Sequence, residues 1–275
     1  MTSGQGDLLT FRNKGQEHGA KKWLCRGKMH GGLMDRRMWD DQFTVFAQKY
    51  RVLRYDIRGY GNSDAPSGQF SHVEDLYSVL ESLDIERAYV VGLSLGGMIA
   101  LDFTLEDPDM VDALIAVASG LNGYRYADAE DLASKFQAIR VAAKEEGTEK
   151  AVDLLMELPY FVPVSGRPEI REKMRTMAKE NYNAWSAPQD IQAWPSPPSA
   201  ERLSEIDAPT LIVVGDHDVS DIFGVADTLE AGISKATKIV IQDAGHHVNM
   251  EKPEEVNHLV LDFLSSFNSV RLKVE

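Results

Sequence analysis

Three short stretches carry the residue types that nucleophilic catalysis needs. In Gly92-Leu93-Ser94-Leu95-Gly96 a serine is bracketed by glycines. The run before it, Ala88 to Leu93, reads as a buried strand, and Gly96 to Glu106 reads as a helix ended before Pro108. A serine on a sharp strand-to-helix turn stands above the carboxyl edge of a sheet with its hydroxyl exposed, and the flanking glycines avoid collisions with neighbouring backbone. An N-capping serine on an ordinary turn would give the same five residues. It would not explain a histidine and an aspartate at the ends of later strands.

Serine is a poor nucleophile until a base takes its proton. Ala244-Gly245-His246 follows the last predicted strand and precedes the last helix, so His246 lies at the same sheet edge as Ser94. His247 competes with it; the residue directly after the flexible glycine is the better placed to turn inward. A histidine base needs an orienting acid, and the order Ser, Asp, His puts that acid after an earlier strand. Gly215-Asp216-His217-Asp218 offers two carboxylates. Asp216 sits at the strand end itself, whereas Asp218 lies in the loop and can swing toward the base, so Asp218 is the preferred candidate. Both would otherwise be simple turn formers.

The elements that must position these residues alternate between short apolar runs and helical patterns, as in a parallel sheet crossed by helices. Arg51 to Asp56 reads as a strand and Ile57 to Gly68 as a Gly-rich loop. Ser71 to Asp84 reads as a helix, with Val73, Leu76, Val79, Leu80 and Leu83 at helical spacing behind a serine cap. Val111 to Ala118, Thr210 to Gly215 and Thr237 to Gln242 are β-branched, apolar strands, and a final helix starts near Pro253. Between Ala118 and Thr210 the pattern is helical, over Ala129 to Lys144, Lys150 to Leu158 and Glu169 to Ala184, with no strand evident. Pro195, Pro197, Pro198 and Pro209 then mark an extended return path. The expected organisation is an α/β core of residues 1–120 and 205–275, mostly parallel sheet flanked by helices, with a helical cap inserted at 121–204.

Composition narrows the function classes. A formal charge of −14 over 275 residues repels phosphate backbones and anionic lipid, so neither nucleic acid nor membrane is an expected partner. It also weakly disfavours a polyanionic substrate, which one local Arg or Lys could override. Cys25 is the only cysteine, which excludes an internal disulfide and fits a reducing compartment. Met1 to Leu9 shows neither the basic nor the apolar region of a signal peptide, and no apolar run is long enough to cross a bilayer. A cytoplasmic chain without bound metal is expected.

From about residue 29 onward the chain resembles the α/β-hydrolase superfamily. His30-Gly31-Gly32 is similar to its oxyanion segment, and Asp56-Ile57-Arg58-Gly59-Tyr60-Gly61-Asn62-Ser63-Asp64 to its D-x-R-G-x-G-x-S loop. Gly215 to Asp218 resembles its acid turn, and Gly245-His246 with Pro253-Glu254-Glu255 its histidine loop and final helix. The resemblance implies an α/β-hydrolase fold, a helical cap, and backbone N–H groups of Gly32 and Leu95 as oxyanion donors. It further implies acyl transfer without a cofactor, on a small-molecule ester or lactone, through a Ser94–His246–Asp218 triad. Related dehalogenases and epoxide hydrolases attack carbon with an aspartate, and a serine at 94 argues against both.

Carboxylesterase is the broadest reading of that constellation. Enol-lactonase, carbon–carbon hydrolase and perhydrolase share it, and a signalling or binding protein can keep the same fold. Met34, Met38, Trp39, Phe161 and Trp185 are candidates for lining an apolar substrate pocket, although core packing would also account for any one of them. The start of the chain does not fit the pattern. Lys21, Lys22, Arg26 and Lys28 suit no buried strand. Residues 1–22 are therefore expected to be loosely attached, with any strand short and near Trp23 to Met29.

Overall fold

In the computed structural model, residues 9–12, 23–25, 29–182 and 191–271 are described. Among these residues nine strands run in chain order: β1 Leu9–Arg12, β2 Trp23–Cys25, β3 Arg51–Tyr55, β4 Phe70–Ser71, β5 Ala88–Leu93, β6 Val111–Val117, β7 Gln192–Ala193, β8 Thr210–Gly215 and β9 Ala236–Ile241. Seven of them form one sheet in the order β1-β3-β2-β5-β6-β8-β9. Every pairing in it is parallel except that of β1 with β3. Every residue of β5 and β8 is buried. That is why these strands read as continuous β-branched runs: a parallel sheet is covered by helices on both faces.

The helices are α1 Asp40–Phe46, α2 His72–Glu81, α3 Leu95–Glu106, α4 Ala129–Glu145, α5 Thr148–Leu155, α6 Pro168–Glu180, α7 Ser220–Gly232, α8 Val248–Glu251 and α9 Pro253–Arg271. Helix α3 is apolar on nearly all sides and buries Gly96 through Leu105 except Met98, as expected of a helix enclosed by others. Helix α2 starts where its cap predicts, with Ser71 Oγ accepting the Glu74 N–H at 3.4 Å. The sequence reading passed over α1 and α7.

Two expectations are corrected. Leu9–Arg12 is not loosely attached: it pairs antiparallel with β3, Leu9 opposite Tyr55 and Arg12 opposite Val52, as an edge strand. The Leu-Thr-Phe-Arg alternation suits an edge, which needs no continuous apolar run. The other residues up to 22 lie outside those described. The segment between β6 and β8 does contain a strand. Its two residues, β7, pair with β4, Phe70 opposite Gln192; so short a strand leaves no periodicity to read. The strand expected near Trp23 to Met29 is β2, three residues long, followed by a single bridge from Met29 to Gly92.

Candidate functional site

Strand β5 ends at Leu93, helix α3 begins at Leu95, and Ser94 between them has φ 54° and ψ −114°. A side-chain-bearing residue in that conformation costs about 1–3 kcal/mol and persists only where its surroundings hold it. Three backbone hydrogen bonds do so. Ser94 N–H donates to Val117 O, and its carbonyl accepts from Met98 and Gly120, each at 3.0 Å. The glycines earn their places by contact. A Cβ on Gly96 would stand 1.6 Å from Met29 O, and one on Gly92 would stand 2.0 Å from Gly96 O. Leu95 is first in its helix, so its N–H has no acceptor one turn back, and the residue lines the same cavity as Ser94.

Next to the elbow runs the His30–Gly32 segment. His30 is fully buried; its Nε2 accepts the Ile57 N–H at 3.0 Å and its Nδ1 lies 2.9 Å from Gly31 O. Accepting at Nε2 requires the neutral ring, and burial lowers its pKa accordingly. Thus anchored, the segment brings Gly31 so close that a Cβ there would be 3.6 Å from Ser94 Cβ. The loop from Asp56 to Asp64 has a structural task in this arrangement. Buried Asp56 accepts the backbone N–H groups of Arg36 at 2.8 Å and Asn62 at 3.1 Å, and is paired with the Arg36 guanidinium. Asp35, beside it, is pushed up by burial but held down to about 2 by hydrogen bonds from Arg37 and from Asn181 at the end of α6.

After β9 the chain turns through Asp243 and presents His246. Its Nδ1 is 3.0 and 3.1 Å from the two oxygens of Asp218, whose side chain is completely buried. A carboxylate on Nδ1 fixes the tautomer in which Nε2 is free to accept a proton. The structure brings Asp218, not Asp216, to His246; Asp216 instead accepts the Ala244 N–H at 3.2 Å, tying the histidine loop to the end of β8. His247 also lines the cavity, but its ring stands at 88° to that of His246 and packs 5.1 Å from Phe161, and burial lowers its pKa well below the ordinary value.

Two positioning residues escaped the sequence reading. Glu251 is buried and accepts the Gly245 N–H at 3.1 Å, its carboxyl pushed up by that burial. Arg167, leading into α6, donates to Glu251 O at 2.5 Å and Asp243 O at 2.7 Å, bracketing the histidine loop. Neither carries a local motif, because their roles exist only once distant segments meet.

Ser94, Leu95, Gly31, Gly32 and His246 all line one cavity of about 590 Å³, closed on the other side by α4 and by Tyr160 and Phe161. Tyr160 packs edge-on against His246 at 4.9 Å. Of the pocket candidates, Phe161 lines the cavity. Met34 and Trp39 do not: they are buried in the hydrophobic core, and Met38 spends its sulfur on the Gly31 N–H at 3.3 Å. Trp185 lies outside the described residues. Among the described residues no cluster of three or more His, Cys, Asp or Glu could hold a metal, and no helix is long and apolar enough to cross a membrane.

Comparison with known proteins gives a consistent picture. The sequence profile of the alpha/beta hydrolase fold matches residues 29–253. A 2-hydroxy-6-oxononadienedioate/2-hydroxy-6-oxononatrienedioate hydrolase of Klebsiella pneumoniae is 30% identical, over 78% of this chain and 77% of its own. An epoxide hydrolase 1 of Siraitia grosvenorii is 28% identical, over 79% and 84%. The carboxylesterase YbfK of Bacillus subtilis is 25% identical, over 86% and 78%.

Proposed function

The chain belongs to the α/β hydrolase fold family, and from that premise we propose that it is a serine hydrolase of carboxylic esters acting through an acyl-enzyme. The observation that carries the reading is the convergence on one cavity of a strained, turn-borne Ser94 and a His246 whose Nδ1 is held by buried Asp218. His246 Nε2 takes the Ser94 proton as Oγ attacks the ester carbonyl, and the N–H groups of Leu95 and Gly32 receive the developing oxyanion. The tetrahedral adduct collapses, and the alcohol leaves with the proton from His246. Water, deprotonated by the same histidine, then releases the acid and restores Ser94. Asp218 stabilises the imidazolium in both halves. The helices within residues 121–204 act as the cap, supplying the apolar wall of the cavity. The single cysteine and acidic composition support a cytoplasmic setting.

Serine also favours this reading over opening of an epoxide. A carboxylate attacking an epoxide forms an ester that water can cleave, whereas a serine would form an ether that it cannot. The Klebsiella relative supports a second reading, cleavage of a carbon–carbon bond next to a ketone, which would use the same serine and oxyanion donors with a carbon leaving group.

A fluorophosphonate should label Ser94 alone, and Ser94→Ala should cut p-nitrophenyl butyrate turnover by several orders of magnitude without loss of folding. Near-normal turnover in that variant overturns the proposal. Carbon–carbon cleavage without ester turnover would select the second reading.

A further inference from the structure

Helix α4 presents Ala129, Leu132, Ala133, Phe136 and Arg140 to the cavity, the spacing of one helical face. Its N-terminal end lies near the elbow. The preceding Tyr126 hydroxyl accepts the Leu121 N–H at 3.0 Å, and the adjacent Gly120 N–H binds Ser94 O. Arg140 is eleven residues further along, roughly 16 Å at 1.5 Å per residue. Because helical side chains lean toward the N-terminus, its guanidinium falls about 10 Å beyond the level of Ala129. The wall between them is Leu132 and Phe136, both apolar.

Arg140 is half-buried and meets no acid among the described residues. Its guanidinium donates to neutral Gln137 Oε1 at 3.1 and 3.3 Å, and it forms no ion pair among the described residues. Lys135 on the same helix pairs with Asp131 and Arg175 on α6 with Asp153, each at 2.6 Å; Arg171 on α6 instead donates to the Met156 carbonyl, and it does not line the cavity. On a chain with a net charge of −14, an arginine that faces a largely apolar cavity without a carboxylate partner is a local exception. A planar guanidinium matches a carboxylate with two parallel hydrogen bonds.

We propose that the preferred substrate is an ester carrying a carboxylate roughly 10 Å from its scissile carbonyl, with an apolar chain between, and that Arg140 grips that carboxylate. The inference rests on the ester-cleaving reading of Ser94 and names its substrate class.

The test compares chain-matched pairs. Mono-p-nitrophenyl sebacate against p-nitrophenyl decanoate puts the charge on the acyl side. The butyrate ester of 10-hydroxydecanoic acid against decyl butyrate puts it on the alcohol side. In the parent protein at least one charged member should have the higher kcat/KM. Arg140→Gln should lower that charged-to-neutral ratio about tenfold, and Arg140→Glu should lower it further. A ratio that moves less than twofold in both pairs overturns the inference. Hydrolysis of no ester at all overturns the functional reading instead. In that event, calorimetric binding of monomethyl sebacate to Ser94→Ala and to Ser94→Ala/Arg140→Gln still decides the arginine's role. About tenfold weaker binding in the double variant supports it, and equal binding refutes it.

Discussion

Two turns beyond the elbow, α3 buries Asp102, and Asp102→Asn should make the protein more stable in a way that depends on pH. Ser199, on the return path from the cap, donates to one carboxyl oxygen. Burial pushes the Asp102 pKa from the ordinary 3.8 up to about 7; the Asn122 amide opposes this, Glu106 adds to it and Arg202 opposes it. Since the pKa is raised, the folded state keeps a proton that the unfolded chain releases above pH 4. The stability it confers is full below the ordinary value, falls as pH rises toward 7, and levels off beyond. At about 1.4 kcal/mol per pH unit, the whole interval is worth roughly 4 kcal/mol. About 1.5 kcal/mol of this is lost by pH 5, leaving about 2–3 kcal/mol to be lost between pH 5 and pH 8. Asparagine still accepts from Ser199 but does not titrate. The Tm advantage of the variant over the parent should therefore widen by roughly 5–10 °C between pH 5 and pH 8. Circular dichroism melts at both pH values and equal ionic strength measure this, and all other titrations cancel in the comparison. An advantage equal at both pH values would refute the reasoning.

The orienting role of Asp218 and the structural role of Asp216 separate cleanly. Asp218→Asn should cost about 10²- to 10⁴-fold in turnover of p-nitrophenyl butyrate, because the imidazole then favours the wrong tautomer. Asp216→Asn should cost less than about tenfold, since only the Ala244 contact weakens; the reverse ranking would exchange the two assignments. Arg167→Ala removes charged hydrogen bonds at both ends of the histidine loop. It should destabilise the protein by about 2–3 kcal/mol, after allowance for water reaching the half-exposed side chain, and lower kcat more than it raises KM. Urea titration and steady-state kinetics check the two parts, and an unchanged unfolding midpoint would remove Arg167 from this role.

The strands were legible where burial on both faces forces unbroken β-branched runs, as in β5, β6 and β8. The elbow was legible because the contact that demands Gly92, against Gly96 O, falls within the same five residues, although Gly96 answers to the distant Met29. Leu9–Arg12 was misjudged because it follows the rule for an edge strand, not a central one. Met34 and Trp39 were misplaced for a related reason: apolar type alone does not say whether a side chain faces core or cavity. Glu251 and Arg167 left no trace at all.

Local sequence therefore decided the elements and the turn chemistry, because hydrogen-bonding period, capping and backbone sterics act over a few residues. It decided the order of Ser94, Asp218 and His246 along a parallel sheet, since successive strands return their carboxyl ends to one edge. Only the folded chain decided which carboxylate meets His246, which side chains line the cavity, and that Arg140 faces it with no acid among the described residues as partner. Those outcomes depend on distances between segments as far apart in sequence as Gly31 and His247, and such distances are set by packing rather than by any local preference.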